Sequence, residues 1–179
     1  MSSHHTPLLL IDGYNIIGAW SSLKSTRDRH GLEQARRELI ETLINYTAHK
    51  GYQTKVVFDS QYQKTPYSLE RHSPNLSICF TAWTQTADTY IEKVCASFFR
   101  RQGTVPCRII VATSDRDQQL TVVGYGAEWM SAQVLASDVS SSTLQMKRKQ
   151  RNNKRTQGRS LFNCLDPKSQ ERLARWRQG

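Results

Sequence analysis

An α/β fold built on a doubly wound, mostly parallel sheet is predicted by three features of the 179-residue chain. Short runs of consecutive apolar residues alternate with stretches of helical periodicity, and several of these runs stop at a turn that carries an aspartate. Apolar residues on successive strand positions need cover on both faces of the sheet, which helices on either side provide. Sheets of this kind bind ligands beyond the carboxyl ends of their strands.

The elements follow in chain order. Leu8 to Ile11 reads as a buried strand that stops at the turn Asp12-Gly13. From Leu32 the apolar positions 32, 35, 39, 40, 43 and 44 recur at helical spacing, and Gly51 stands where a helix would stop. Thr54 to Phe58 is a second buried strand, ending at Asp59. The polar stretch from Ser60 to Pro74 holds two prolines and reads as a long loop or hairpin. Leu76 to Phe80 is a third strand, and Ala87 to Arg101 a helix whose stripe is Ile91, Val94, Cys95 and Phe98. A fourth strand, Arg108 to Ala112, ends in Thr113-Ser114-Asp115. A short helix over 118–123, a fifth strand over 128–131 and a helix over 132–147 follow. Asp166-Pro167 supplies an N-cap with proline in the first helical position, opening a short terminal helix edged by Leu173 and Trp176. Tyr14 and Trp20 are expected to pack in the core.

The charge is unevenly spread. The chain carries 25 Lys and Arg against 15 Asp and Glu, a net +10 that favours polyanionic partners. Residues 1–146 hold 14 bases and 13 acids, whereas 147–165 hold seven bases and no acid: Lys147, Arg148, Lys149, Arg151, Lys154, Arg155 and Arg159. The expected division is therefore a folded domain over 1–146 and a basic extension over 147–179. The segment 147–165 lacks apolar periodicity and is expected to be mobile and solvated, an arm that holds RNA or ribosomal phosphates and weakens steeply with salt. It has no aromatic residue before Phe162, so it would position RNA without stacking on bases.

No apolar run approaches the ~18–20 residues of a membrane span, and Leu8 to Ile11 is too short for an export signal, so a cytoplasmic protein without membrane contact is expected. Cys79, Cys95, Cys107 and Cys164 show no CxxC spacing and read as buried apolar residues. The sequence carries no phosphate-binding GxxxxGK[ST] loop, GxGxxG, HExxH or GxSxG, and the five histidines lack ligand spacing. A small-molecule cofactor is not expected.

The chemistry lies in the acids. Asp12, Asp59 and Asp115 each follow a strand, and Asp88 stands in the first turn of the helix after the third strand. In a parallel sheet these positions share one edge. Two carboxylates ~4 Å apart at an effective dielectric of ~20 repel by ~4 kcal/mol, so such a cluster binds protons or a cation. All-oxygen donors favour Mg²⁺ or Mn²⁺ over zinc. Each position also has a plainer reading: Asp88 favours a helix dipole, and Asp12 and Asp115 suit turns or caps. Asp59 is read as a supporting or structural acid. Glu92, one turn beyond Asp88, either reaches the same cation through water or pairs with a surface base.

The segments LLLIDGYN (8–15), VVFD (56–59), QTADTYIEKV (85–94) and VATSDRDQQ (111–119) together resemble the YacP-like branch of the NYN domains, a PIN-like nuclease group, over roughly residues 7–165. The resemblance implies a PIN-like, Rossmann-like three-layer fold, a divalent-metal site and endoribonuclease activity. For this branch it further implies association with the ribosome and cleavage of mRNA during translation. Residue by residue it assigns metal binding and catalysis to Asp12, Asp88 and Asp115, adds Glu92 as the second acid of the helix motif, and makes Asn15 and Ser114 polar supports for water or phosphate. Gln85 and Thr89 depart from it, since relatives commonly carry acids there. Asp117 either restores part of that charge or is an ordinary first-turn acid, the reading favoured here. The expected activity is Mg²⁺- or Mn²⁺-dependent hydrolysis of RNA phosphodiesters. The rivals are a non-catalytic RNA- or ribosome-binding adaptor and a phosphohydrolase of small molecules.

Overall fold

A computed structural model describes residues 6–60, 66–100 and 108–163. Among the described residues twelve elements follow one another: β1 (Leu8–Asp12), α1 (Gly13–Ala19), α2 (Ser21–His30), α3 (Leu32–Lys50), β2 (Gln53–Phe58), β3 (Ser68–Ser73), β4 (Leu76–Phe80), α4 (Ala87–Arg100), β5 (Ile109–Ala112), α5 (Arg116–Gly124), β6 (Glu128–Met130) and α6 (Ala132–Asn163). The six strands form one sheet in the order β3-β4-β2-β1-β5-β6, parallel throughout except for the edge strand β3.

Alternation along β1 shows how the layers form. Leu9 and Ile11 face a cluster that includes Ile16, Leu39, Leu43 and the α6 residues Ala132, Leu135 and Val139. Leu10 faces the other way, toward Ile91 and Cys95 of α4 and Val122 of α5. Side chains two apart share a face, so one apolar run feeds two cores and the sheet becomes the middle layer of three. β1 is central, with β2 on one side and β5 on the other, so its carboxyl end, Asp12, lies in the middle of the sheet edge.

Several boundaries depart from the sequence reading. The helices α1 and α2 were not anticipated: GYNIIGA holds two glycines, and SSLKSTRDRH buries only Leu23, so neither shows an apolar stripe. Tertiary packing supports them, with the Trp20 indole between the two donating to the Ala132 carbonyl at 2.8 Å. Tyr14 and Trp20 are both partly buried against the core. The expected loop or hairpin before β4 is a hairpin, with β3 antiparallel to β4 and a register shift between Arg71 and Ser73. α5 begins at Arg116, two residues early, because the Asp115 carboxylate accepts from the Asp117 and Gln118 amides.

The main correction concerns the basic segment. Expected to be a mobile arm, it continues α6 without interruption to Asn163. Lys, Arg and Gln are good helix formers, and a helix already nucleated extends at little cost. Lys147, Arg148, Lys149 and Arg151 are exposed on it. Lys154, Arg155 and Arg159 also lie within the helix. The chain divides into two compact units, residues 1–140 and 141–179, and the division falls inside α6. The Asp166-Pro167 start and the terminal helix lie outside the described residues, as do Cys107 and Cys164. Cys79 and Cys95 are buried thiols. Among the described residues no helix is long and apolar enough to cross a membrane.

Candidate active site

Asp12 ends β1 and caps α1, its Oδ1 accepting from the Asn15 amide at 3.1 Å. Gly13 follows because nothing larger fits: a Cβ there would lie 2.2 Å from the Phe58 ring. Across the sheet edge, Asn15 Oδ1 accepts from the Ser114 amide at 2.6 Å, and Ser114 Oγ accepts from the Ala132 amide. The two expected polar supports therefore tie the ends of β1 and β5 together. Asp115 caps α5 through Oδ1, and Thr113 Oγ1 accepts the Asp115 amide at 3.0 Å.

Asp88 stands in the first turn of α4, next to Ala87, which is buried. Its Oδ1 accepts from Gln118 Nε2 at 2.5 Å, a bond that joins α4 to α5 across thirty residues of sequence. Gln118 is itself buried, and among the described residues its Oε1 has no hydrogen-bond partner.

These acids act on one another. Asp12 is pushed up to about 6, chiefly by burial; the Asn15 amide opposes this, and the charges of Asp88, Asp115 and Asp59 add to it. Asp88 is also raised, by burial first and then by Asp115, Glu92 and Asp59. The structure thus gathers Asp12, Asp88, Asp115 and Glu92 into one interacting group and adds Asp59 to it. Asp117 is exposed in the first turn of α5 and is not among the charges acting on Asp12 or Asp88. At the positions without acids, Gln85 is half-buried, and the exposed Thr89 shares a 2.8 Å hydrogen bond with Thr86.

Arg36 is a further residue that sequence reasoning missed. Its guanidinium lies 5.9 Å from the Phe58 ring centre and 5.6 Å from that of Phe80, and donates to the Tyr14 hydroxyl at 3.0 Å. Phe58 and Phe80 end β2 and β4, so this cation sits beside the same sheet edge. Periodicity places position 36 on a helix but cannot say what the helix crosses.

The donor set is all oxygen, and mutually repelling carboxylates suit a hard divalent cation. Among the described residues, no three acids, imidazoles or thiols stand close enough to cage a metal ion. Mg²⁺ does not require such a cage, since it keeps several waters and is commonly held by one or two carboxylates together with substrate phosphates.

A three-layer domain with acids gathered at the carboxyl edge of a mostly parallel sheet belongs to the PIN-like class of α/β folds. Within that class the chain is a member of the YacP-like NYN domain family, whose profile matches residues 9–178. It is 35% identical to the YacP protein of Bacillus subtilis strain 168 over 146 residues, covering 80% of this chain and 81% of the relative. Two crystal structures of Rae1 (YacP) from Bacillus subtilis are similar as well. One has a TM-score of 0.67 at 30% identity and covers 96% of this chain and 95% of its own. The other, a single-substitution variant, has a TM-score of 0.68 at 29% identity and covers 93% and 98%. NYN domains are PIN-like nucleases, so membership supports a nuclease-type, RNA-related function.

Proposed function

We propose that the protein is a divalent-metal-dependent endoribonuclease that hydrolyses RNA phosphodiester bonds, with mRNA on translating ribosomes in the cytoplasm as its substrate. The observation that carries this reading is the coupled acid group, in which Asp12 is pushed up to about 6 by burial and by three neighbouring carboxylates. Carboxylates that repel one another hold a proton or take a cation, and an all-oxygen set of this kind suits Mg²⁺ or Mn²⁺.

In this reading Asp12, Asp88 and Asp115 hold Mg²⁺ or Mn²⁺, with Glu92 and Asp59 adding negative charge. Such an ion, when bound, polarises a phosphate oxygen and acidifies water. Gln118 fixes the Asp88 carboxylate, and Asn15 keeps the ends of β1 and β5 in register through Ser114. Arg36 offers a guanidinium to a substrate phosphate, already oriented by Phe58, Phe80 and Tyr14. The basic residues of α6 from Lys147 onward contribute sequence-independent affinity for RNA or ribosome.

The test is to map RNA ends on an mRNA under active translation and as naked RNA, with and without Mg²⁺ or Mn²⁺, for wild type and Asp12→Asn. New ends that require the metal and vanish in the variant support the nuclease. A second reading, a non-catalytic RNA- or ribosome-binding adaptor, is favoured by the neutral residues Gln85 and Thr89. It predicts no new ends in either state, with ribosome association equal in the two proteins.

A further inference from the structure

Beside the acids, a groove of about 440 Å³ opens between α5, β6 and the first turn of α6. Ser114, Arg116, Gln119, Leu120, Trp129, Ser131 and Gln133 line it, and among the described residues no carboxylate does. Ser114 and Arg116, both in its lining, flank Asp115 in the chain, so the groove begins one residue from an acid of the group.

Its apolar part is an unusual surface for a sheet edge. Trp129 is 39% exposed on the edge strand β6 and Leu120 is 66% exposed on α5. The indole Nε1 donates to the Thr113 carbonyl at 2.9 Å, which holds the ring in place. A tryptophan already oriented offers a face for stacking at little entropic cost. The polar part consists of amides and a cation. Gln119 and Gln133 each carry donors and an acceptor, the complement of a nucleobase edge. Among the described residues Arg116 has no carboxylate partner.

A flat apolar wall, neutral amides and one guanidinium match a flat, polar-edged, anionic ligand. We propose that this groove is a nucleobase subsite: it takes the base of a single-stranded RNA nucleotide adjoining the scissile phosphate, stacked on Trp129, with its edge on Gln119 and Gln133 and its phosphate on Arg116. The inference rests on the nuclease reading of the neighbouring acids. It differs from the role given to the α6 bases, which meet phosphates without reading bases.

The test is a cycle in which the base and its stacking partner are removed separately and together. Ten-nucleotide single-stranded RNAs carrying one abasic position, scanned along the oligonucleotide, are titrated by fluorescence anisotropy against Asp12→Asn protein with Mg²⁺ present. In that background, loss of the base at one position raises Kd about tenfold, and adding Trp129→Ala raises Kd for the intact RNA by a similar factor. The two losses together cost little more than either alone, and Trp129→Phe, which keeps a ring but loses the bond to Thr113, restores part of the affinity and of the abasic effect. Arg116→Gln weakens binding at every position and lowers the slope of log Kd against log salt by about 0.7. A merely structural role for Trp129 would leave the abasic effect unchanged in Trp129→Ala. Additive losses at every position overturn the proposal, as does an absence of measurable affinity for these RNAs. A Trp129→Ala variant that loses ribosome association but keeps its oligonucleotide affinity overturns it too and makes the groove a protein contact. Absence of RNA cleavage by the wild-type protein, with the coupling intact, retires the nuclease reading and keeps the subsite. Cleavage with additive losses does the reverse.

Discussion

At the scale of single residues, the cost of assembling the site falls on Asp12. Its carboxyl is raised from 3.8 to about 6 in the fold, so between those values the native protein keeps a proton that the unfolded chain has lost. Stability of the metal-free protein therefore falls as pH rises through that window, by about 3 kcal/mol if the whole shift is expressed. Asp12→Asn keeps an N-cap oxygen but removes the charge. In EDTA the variant is expected to resist urea better than wild type at pH 8, with the difference vanishing near pH 4. Added Mn²⁺ should raise the wild-type midpoint more than that of the variant. Gly13 is constrained by space. A methyl at 2.2 Å from the buried Phe58 ring has nowhere to go, so Gly13→Ala is expected to lower stability by about 1–3 kcal/mol or more, visible as a drop in Tm.

Elements are joined by residues that serve the site as well. Asp115 both caps α5 and contributes to the acid group, and the two roles can be separated. Asp115→Asn keeps a capping oxygen and should hold Tm close to wild type while RNA cleavage is lost. Asp115→Ala should lose cleavage and about 1 kcal/mol of stability, read by denaturant unfolding. Elsewhere, α3 and the start of α6 are joined through Asp138, which accepts from Tyr46 at 2.8 Å and Lys50 at 2.7 Å. Burial would raise the Asp138 carboxyl, but these two bonds together with the charges of Lys50 and His49 outweigh it and lower the pKa. The stability this join contributes is present above the usual carboxylate range and is lost as pH falls through the lowered value. Asp138→Ala is therefore expected to cost about 1–3 kcal/mol at pH 7, checked by urea unfolding, and less in acid. Legibility at this scale followed burial. β1, β2, β4 and β5 show in the sequence as consecutive apolar runs, and α3 shows as an apolar repeat at helical spacing. α1 and α2 do not, because Asp12, Trp20 and neighbouring helices support them where periodicity is absent.

For the whole molecule, charge and topology carry different parts of the argument. The net +10 resides almost wholly beyond residue 146. Replacing Lys147, Arg148, Lys149 and Arg151 together by Gln keeps helix propensity and should lower the salt slope of RNA binding by roughly 3, measured by anisotropy titration at several salt concentrations. The sequence alone determined the α/β class, the parallel core strands and three acids at strand ends, because consecutive apolar runs and their stops are local facts. It also determined where the positive charge lies, although Lys, Arg and Gln in an unpatterned run left its helical state unread. Tertiary structure alone decided that Asp59 joins the acid group, that Gln118 fixes Asp88 from thirty residues away, that Arg36 meets two phenylalanine rings and that Trp129 stays open to a groove. Desolvation, charge coupling and exposure are sums over neighbours in space, and no stretch of sequence contains those sums.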